Sequence, residues 1–296
     1  MGFDVIVIGC GAAGLQAAIH AARKKVKVLV IGKPESSSLM KAHIENYFGV
    51  ASTAGKELLD IGQKQAKEFG AELLGEEVIG LERKDGGFVV RTDGLKEFVS
   101  KTLIIAAGIT RNKLNVEGEK EYHGLGVSYC ANCDCHIFKK KTVAIVGDGS
   151  NAAAAALLLK DYATKVYWVN MEPKPSPELM RLVVERQIEI LSGAWPSRIV
   201  GEQTVKAIEL KDGRKLDVDG VFVELGAKGA ADLAMEVDVL ADEKGNIAVD
   251  QNCKTEVEGV YACGDITGQP WQLARSVGQG CIAGLSAAAL VRKEAE

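Results

Sequence analysis

No stretch of this chain stays apolar for the roughly 18 residues that a membrane-spanning helix requires. Nor does any block of Lys and Arg mark a nucleic-acid-binding face. With 36 Lys and Arg against 40 Asp and Glu, the formal net charge is −4, which offers a polyanion nothing to grip. A basic leader is missing, and Asp4 stands in the opening segment, so no signal peptide is expected. Ile6 breaks the myristoylation pattern. Collagen-like periodicity and the composition of a disordered chain are likewise absent. The expectation is a soluble, cytoplasmic protein that binds neither nucleic acid nor membrane.

What is present is a chain of 296 residues, 47% hydrophobic and 26% charged. That is ordinary for a globular enzyme and long enough for about two domains. The seven cysteines are an odd number spread over a long chain, which is no disulfide framework. Cys10, Cys253, Cys263 and Cys281 stand alone beside Gly or Ala or close to them and read mostly as small buried residues. Cys130, Cys133 and Cys135 crowd together, and chemistry is expected there.

Phe3 to Ile8 reads as a buried strand, β-branched and without polar alternation after Asp4. Gly9-Cys10-Gly11-Ala12-Ala13-Gly14 follows, then a helical stretch from Leu15 to Lys24 and a second strand from Val26 to Ile31. Strand, G-x-G-x-x-G, helix and strand in this order give the motif its weight. Gly9 suits the tight turn and Gly11 lets backbone N–H groups approach a pyrophosphate. Gly14 lets the helix close on the sheet, with its positive end facing phosphate charge. The pattern returns: a strand from Thr142 to Val146, Gly147-Asp148-Gly149-Ser150-Asn151-Ala152, a helix from Ala153 to Lys160, and a strand from Lys165 to Val169. Each glycine loop therefore heads its own βαβ unit; the competing reading of either is a purely structural turn.

Two further buried strands end on site-like residues. Thr102 to Ala107 runs into Gly108, and Gly259 to Gly264 runs into Asp265, ahead of a helix from Leu273 to Arg292. In parallel sheets, ligands lie beyond the carboxyl ends of strands. By position alone, Asp265 serves equally as a ligand contact or as a turn cap.

The cysteine run is Tyr129-Cys130-Ala131-Asn132-Cys133-Asp134-Cys135-His136. A C-x-x-C pair at a helix start suits thiol–disulfide exchange, because helix N-terminal donors stabilise a thiolate. The neighbouring Asp134 suits the proton transfer that exchange needs. A structural zinc site would use Cys130, Cys133, Cys135 and His136, but a second C-x-x-C knuckle is missing. A c-type haem site needs His where Asp134 stands, and an iron–sulfur cluster needs a fourth thiolate from afar.

Taken in order, a flavin-type glycine loop, a C-x-x-C-Asp element just before a second G-x-G-x-x-A loop, and a late Gly-Asp resemble the low-molecular-weight thioredoxin reductases along essentially the whole chain. Gly126 to Asp134 is the most specific segment, and Ile44-Glu45-Asn46-Tyr47-Phe48-Gly49 is similar to the family's Glu-Asn flavin segment. The resemblance implies an α/β fold of two Rossmann-like, doubly wound, three-layer nucleotide-binding domains, the second inserted into the first. The FAD domain would comprise residues 1–113 and 232–296, and residues 114–231 would form the NAD(P)H-type domain carrying the dithiol. Linkers are expected at Arg111 to Gly118 and Ala227 to Asp232.

The same resemblance implies a function and its residues. Cys133 is the expected flavin-proximal thiol, Cys130 the interchange thiol and Asp134 the acid/base. FAD is expected on Gly9, Gly11, Ala12, Ala13 and Gly14, then along Gly32, Lys33, Ser38, Leu39 and Asn46. Ala107, Gly108, Asp265, Gln272 and Leu273 complete the expected contacts. Trp271 is expected to cover the flavin edge. No metal is expected, the partner is a thioredoxin-like protein, and the assembly is a homodimer.

Some segments depart from the family. Ser36-Ser37-Ser38 replace its Gly-Gly-Gln, Gln272-Leu273-Ala274 its Arg-Gln-Ala, and Cys135 a Gly. After the strand ending at Val169, the arginines that hold a 2′-phosphate are replaced by Asn170-Met171-Glu172-Pro173-Lys174-Pro175. A dianionic phosphate without an Arg fork loses its strongest bonds, and Glu172 repels it. NADPH is therefore disfavoured as electron donor. NADH stays open with Glu172 on a ribose, and reduced ferredoxin fits best, since ferredoxin-dependent members are similar from Thr267 to Gln272. Two other functions stay open: an FAD-dependent dithiol oxidase, and a metal- or nucleotide-binding regulatory protein without turnover.

Overall fold

The computed structural model describes residues 2–109, 113–226 and 228–293, with Cys133 described in its backbone alone. Arg111 and Ala227, the first residues of the expected linkers, lie outside the described residues, as does the Cys133 side chain. The chain divides into two units: Met1–Thr92 with Lys96–Thr110 and Gly229–Glu296, and Asp93–Leu95 with Arg111–Lys228.

The first unit opens with β1 (Gly2–Ile8), α1 (Ala12–Arg23) and β2 (Val28–Ile31). A short ribbon of β3 (His43–Ile44) and β4 (Thr53–Ala54) precedes α2 (Gly55–Glu68) and β5 (Glu72–Leu74). β6 (Val78–Lys84), β7 (Gly87–Thr92) and β8 (Glu97–Ile105) then form an antiparallel meander.

In the second unit the order is β9 (Val127–Ser128), α3 (Ala131–Asp134), β10 (Thr142–Val146), α4 (Ser150–Lys160), β11 (Lys165–Val169), α5 (Pro177–Glu185) and β12 (Glu189–Leu191). β13 (Pro196–Gly201), β14 (Val205–Leu210), β15 (Lys215–Asp217) and β16 (Gly220–Val223) follow. The chain returns to the first unit with α6 (Ala230–Met235), β17 (Val260–Ala262) and α7 (Leu273–Lys293).

In the first unit the sheet order is β5-β2-β1-β8-β7-β6, with β17 also pairing β8. β8 lies parallel to β1 on one edge. Its other edge is shared, antiparallel to β7 along Glu97–Ser100 and parallel to β17 along Leu103–Ile105. The second unit holds a five-stranded sheet in the order β12-β11-β10-β16-β9, parallel throughout. Both units are α/β with parallel strands at their centre, and each glycine loop follows a central strand.

Burial explains why the β1 sequence lacks polar alternation. Val5 and Val7 face a core shared with α1 and α7, while Ile6 and Ile8 face the opposite core with α6. A strand covered on both sides needs apolar residues at every position, each burial stabilising by roughly 1.5–3 kcal/mol. In the second unit, the antiparallel β13–β15 sheet covers one face of the parallel sheet through Ile199, Val205 and Ile208 against Ala144, Val146 and Val221. Ala230 to Asp232, expected within a linker, instead open α6. Ala230, Ala231, Leu233 and Ala234 are buried there, an apolar face that a solvated linker does not have. Among the described residues, no helix is long and apolar enough to cross a membrane.

Candidate functional site

The first glycine loop joins β1 to α1. Gly9 has φ +113°, and a Cβ there would stand 2.4 Å from the Ala106 carbonyl oxygen. Gly14 would place a Cβ 2.0 Å from the Gly9 carbonyl oxygen. Side chains are thus excluded where backbone crowds backbone. Gly11 is the N-cap of α1, no side chain caps it, and no acid occupies the first turn. The opening N–H groups of α1 therefore face outward as donors, which fits a pyrophosphate. Cys10 within the loop is buried, and that burial pushes its thiol up to about 11. It is a packing residue at neutral pH.

Other expected contacts gather around this loop. Gly32 lies close enough for a Cβ to meet the Cys10 nitrogen, and Ser37 Oγ lies 3.3 Å from the Cβ position of Gly11. Gly264 packs on Ala13, which places Asp265 just beyond the end of β17 and beside the loop. Asp265 Oδ1 accepts the Ser276 hydroxyl at 3.2 Å, so α7 orients it. Asn46 Nδ2 donates to Gln272 Oε1 at 3.2 Å, bringing together residues distant in sequence. Ala107 and Gly108 follow the end of β8, half-buried. The Lys33 ammonium is 3.1 Å from Glu77 Oε1, Ser38 is exposed, and Leu39 is buried beneath Gly55. Leu273 heads α7 and packs on the core, and Trp271 is about half exposed.

The cysteine element is built differently. β9 ends at Ser128, and Cys130 sits immediately before the short helix α3. Cys130 is disulfide-bonded, whereas Cys10, Cys135, Cys253, Cys263 and Cys281 are free. Ser128 is buried, and its Oγ accepts the Cys130 N–H at 3.1 Å and donates to Asp134 Oδ2 at 2.7 Å. One hydroxyl thereby holds the acid and the cysteine backbone in a fixed relation. The Ala131 N–H donates to Glu224 Oε1 at 3.2 Å, and Asn151 Nδ2 donates to Glu224 Oε2 at 2.5 Å. Glu119, also buried, accepts Tyr129 Oη at 2.9 Å and the Leu114 and Asn115 N–H groups at 2.8 and 2.7 Å. Phe138 closes the element, edge-on to Phe222 at 5.1 Å.

Cys135, two residues beyond Cys133, is a buried free thiol turned to the Asn132 carbonyl at 3.7 Å. Its charge and hydrogen bond hold the Tyr162 phenol above its ordinary value. Among the described residues, no group of three or more His, Cys, Asp and Glu side chains is arranged to hold a metal ion.

At the second glycine loop, Asp148 Oδ1 accepts the Met171 N–H at 2.9 Å and its carbonyl accepts the Lys174 N–H at 2.6 Å. Lys174 pairs with Glu172 at 2.7 Å. Ser150, the first residue of α4, donates to Asp93 Oδ2 at 2.8 Å, and both residues are buried. Ser128, Glu224, Asn151, Glu119 and Asp93 were not singled out from sequence. The available signal for Glu224 was an acid ending the apolar run Val221-Phe222-Val223, and for Asn151 its place inside the glycine motif.

Thiol–disulfide exchange at a disulfide-bonded cysteine needs a source of electron pairs. A glycine loop with open helix N–H groups at the end of a parallel strand fits the phosphates of a nucleotide that carries them. Together they define a nucleotide-dependent disulfide oxidoreductase. Residues 3–280 match the family described as pyridine nucleotide-disulphide oxidoreductase, and the chain belongs to it, among the low-molecular-weight thioredoxin reductases. It is 38% identical over 297 residues to a thioredoxin reductase of Aquifex aeolicus, covering 96% of this chain and 92% of that one. An atypical thioredoxin reductase from Desulfovibrio vulgaris Hildenborough superposes with a TM-score of 0.91 at 30% identity, over 99% of both chains. A ferredoxin-flavin thioredoxin reductase from Clostridium acetobutylicum does so with a TM-score of 0.74 at 31% identity, again over 99% of both. The chain is a flavoprotein oxidoreductase.

Proposed function

We propose that this enzyme binds FAD at the first glycine loop and reduces disulfides of thioredoxin-like proteins through Cys130 and Cys133, taking its electrons from reduced ferredoxin and not from NADPH. The observation that carries the reading is the disulfide-bonded Cys130, with Ser128 tying its backbone to Asp134. FAD, when bound, supplies electron pairs to that disulfide.

The residues that would hold the cofactor are Gly9 to Gly14 with the open start of α1, then Gly32, Asn46 and Asp265 around it. Once the pair is reduced, the Cys130 thiolate attacks one sulfur of the partner's disulfide, and the other partner sulfur leaves. Asp134 is the group placed to return a proton to a leaving thiolate. Cys133, in the role carried over from the family, then attacks the mixed disulfide at the Cys130 sulfur. That step restores the Cys130–Cys133 disulfide and releases the partner as a dithiol. Two electrons and two protons pass to the partner. Homodimeric assembly follows the family.

Support for the donor comes from the second glycine loop. Asp93 lies against the first residue of α4, Asp148 is held by Met171, and Lys174 is paired with Glu172. Carboxylates thus stand where a dinucleotide would bring phosphates, and like charges repel. The residues do not fit a 2′-phosphate. The likeness to a ferredoxin-flavin thioredoxin reductase points the same way. The test is anaerobic: NADPH, NADH and reduced ferredoxin are offered separately while flavin bleaching is followed. Ferredoxin is expected to bleach it rapidly, and fast bleaching by NADPH overturns the donor assignment. Rapid turnover of dithiols with oxygen would instead favour an oxidase.

A further inference from the structure

We propose that Glu224 sets the redox potential of the Cys130 disulfide, acting as a buried charge clamped between the dithiol helix and the second glycine loop. The inference rests on the reading of Cys130 as a redox-active residue. Glu224 follows β16, and its backbone N–H donates to the Val146 carbonyl at 2.9 Å, which seats it at the carboxyl edge of the parallel sheet. Its side chain is buried. Both carboxylate oxygens accept: Oε1 takes the Ala131 N–H at 3.2 Å and Oε2 takes Asn151 Nδ2 at 2.5 Å. Hydrogen bonds donated to both oxygens favour the ionised form of this carboxylate.

Ala131 immediately follows Cys130 and begins α3. Donors at such a position ordinarily lower a thiol pKa and favour the reduced, thiolate-bearing state. Here the donor is taken by a carboxylate whose charge opposes a thiolate nearby. The dithiol state is thereby destabilised against the disulfide, and the pair becomes a stronger reductant. Asn151, inside the G-x-G-x-x-A motif, serves this carboxylate, so a residue of the glycine loop contributes to the dithiol site.

The test equilibrates the holoenzyme with glutathione buffers anaerobically and maps alkylated Cys130 by mass spectrometry. It needs neither donor nor thioredoxin, so its outcome is independent of the donor assignment. Glu224→Gln is expected to shift the equilibrium about tenfold toward the dithiol, a potential about 30 mV less negative. Glu224→Ser removes the same charge and must shift it the same way, so either variant decides. Asn151→Ala removes one of the two donors that favour the ionised carboxylate and is expected to shift the equilibrium the same way, by less than the Glu224 variants. The proposal fails if neither Glu224 variant moves the equilibrium by twofold, or if they move it toward the disulfide.

Discussion

Ser128 holds Asp134 by a 2.7 Å hydrogen bond, and the same hydroxyl receives the Cys130 N–H at 3.1 Å. Ser128 is buried in β9, and both partners meet at this one hydroxyl. A hydrogen bond to a charged group contributes about 1.5–3 kcal/mol. Ser128→Ala is therefore expected to lower kcat for disulfide reduction about tenfold, while Ser128→Thr keeps most of it. Steady-state rates at pH 7 check both.

Asp134→Asn keeps the shape of the residue and removes the proton. Positioned acid–base catalysis is worth about 100-fold or more. Turnover of the partner disulfide is expected to fall by about that factor, with flavin bleaching by the donor unchanged. Stopped-flow measurements of the two half-reactions separate these effects.

Gly9→Val tests the cofactor seat. Its Cβ would meet the Ala106 carbonyl at 2.4 Å, and the φ of +113° is foreign to a β-branched residue. The variant is expected to purify with little or no flavin, read as the ratio of visible to ultraviolet absorbance.

Gly284→Leu tests how α7 meets α1. A Cβ at Gly284 would stand 2.2 Å from the Ala17 carbonyl oxygen, so the helices must separate. Overpacking of this kind costs about 1–3 kcal/mol, or more when backbone moves. A lower Tm by several degrees is expected by calorimetry.

Burial holds the Cys10 thiol up to about 11, and burial with Asp250 nearby does the same for Cys253. Cys263 moves in the same direction by burial. These thiols stay protonated at pH 8 and resist alkylation in the folded protein. As the unfolded thiols ionise near pH 9 and the folded ones near 11, their contribution to stability is complete below pH 9 and is lost between the two. Mass mapping after alkylation at pH 8, before and after unfolding, checks the first statement. Unfolding midpoints across pH 8 to 11 check the second.

The antiparallel parts of the fold went unread in the sequence, although turn signals mark them. Asp85-Gly86 joins β6 to β7, Asp93-Gly94 joins β7 to β8, and Asp212-Gly213 joins β14 to β15. Their strands mix charged and apolar residues, as in Val205-Lys206-Ala207-Ile208-Glu209-Leu210, and stand out less than the unbroken apolar run of β1. Ala230 to Asp232, expected within a linker, open the helix Ala230–Met235; a helix of six residues gives a periodic pattern too short to recognise.

Local sequence alone determined the βαβ order, the two glycine loops and the cysteine element, because strand burial, tight turns and helix starts are each specified by neighbours within a few residues. Tertiary structure decided which groups meet around the cysteine element and the second glycine loop. Glu224 meets Ala131 across 93 residues and Asn151 across 73, and Ser150 meets Asp93 across 57. Such bonds form only where sheet order brings strand ends side by side, and no periodicity along the chain encodes which buried carboxylate arrives at which N–H.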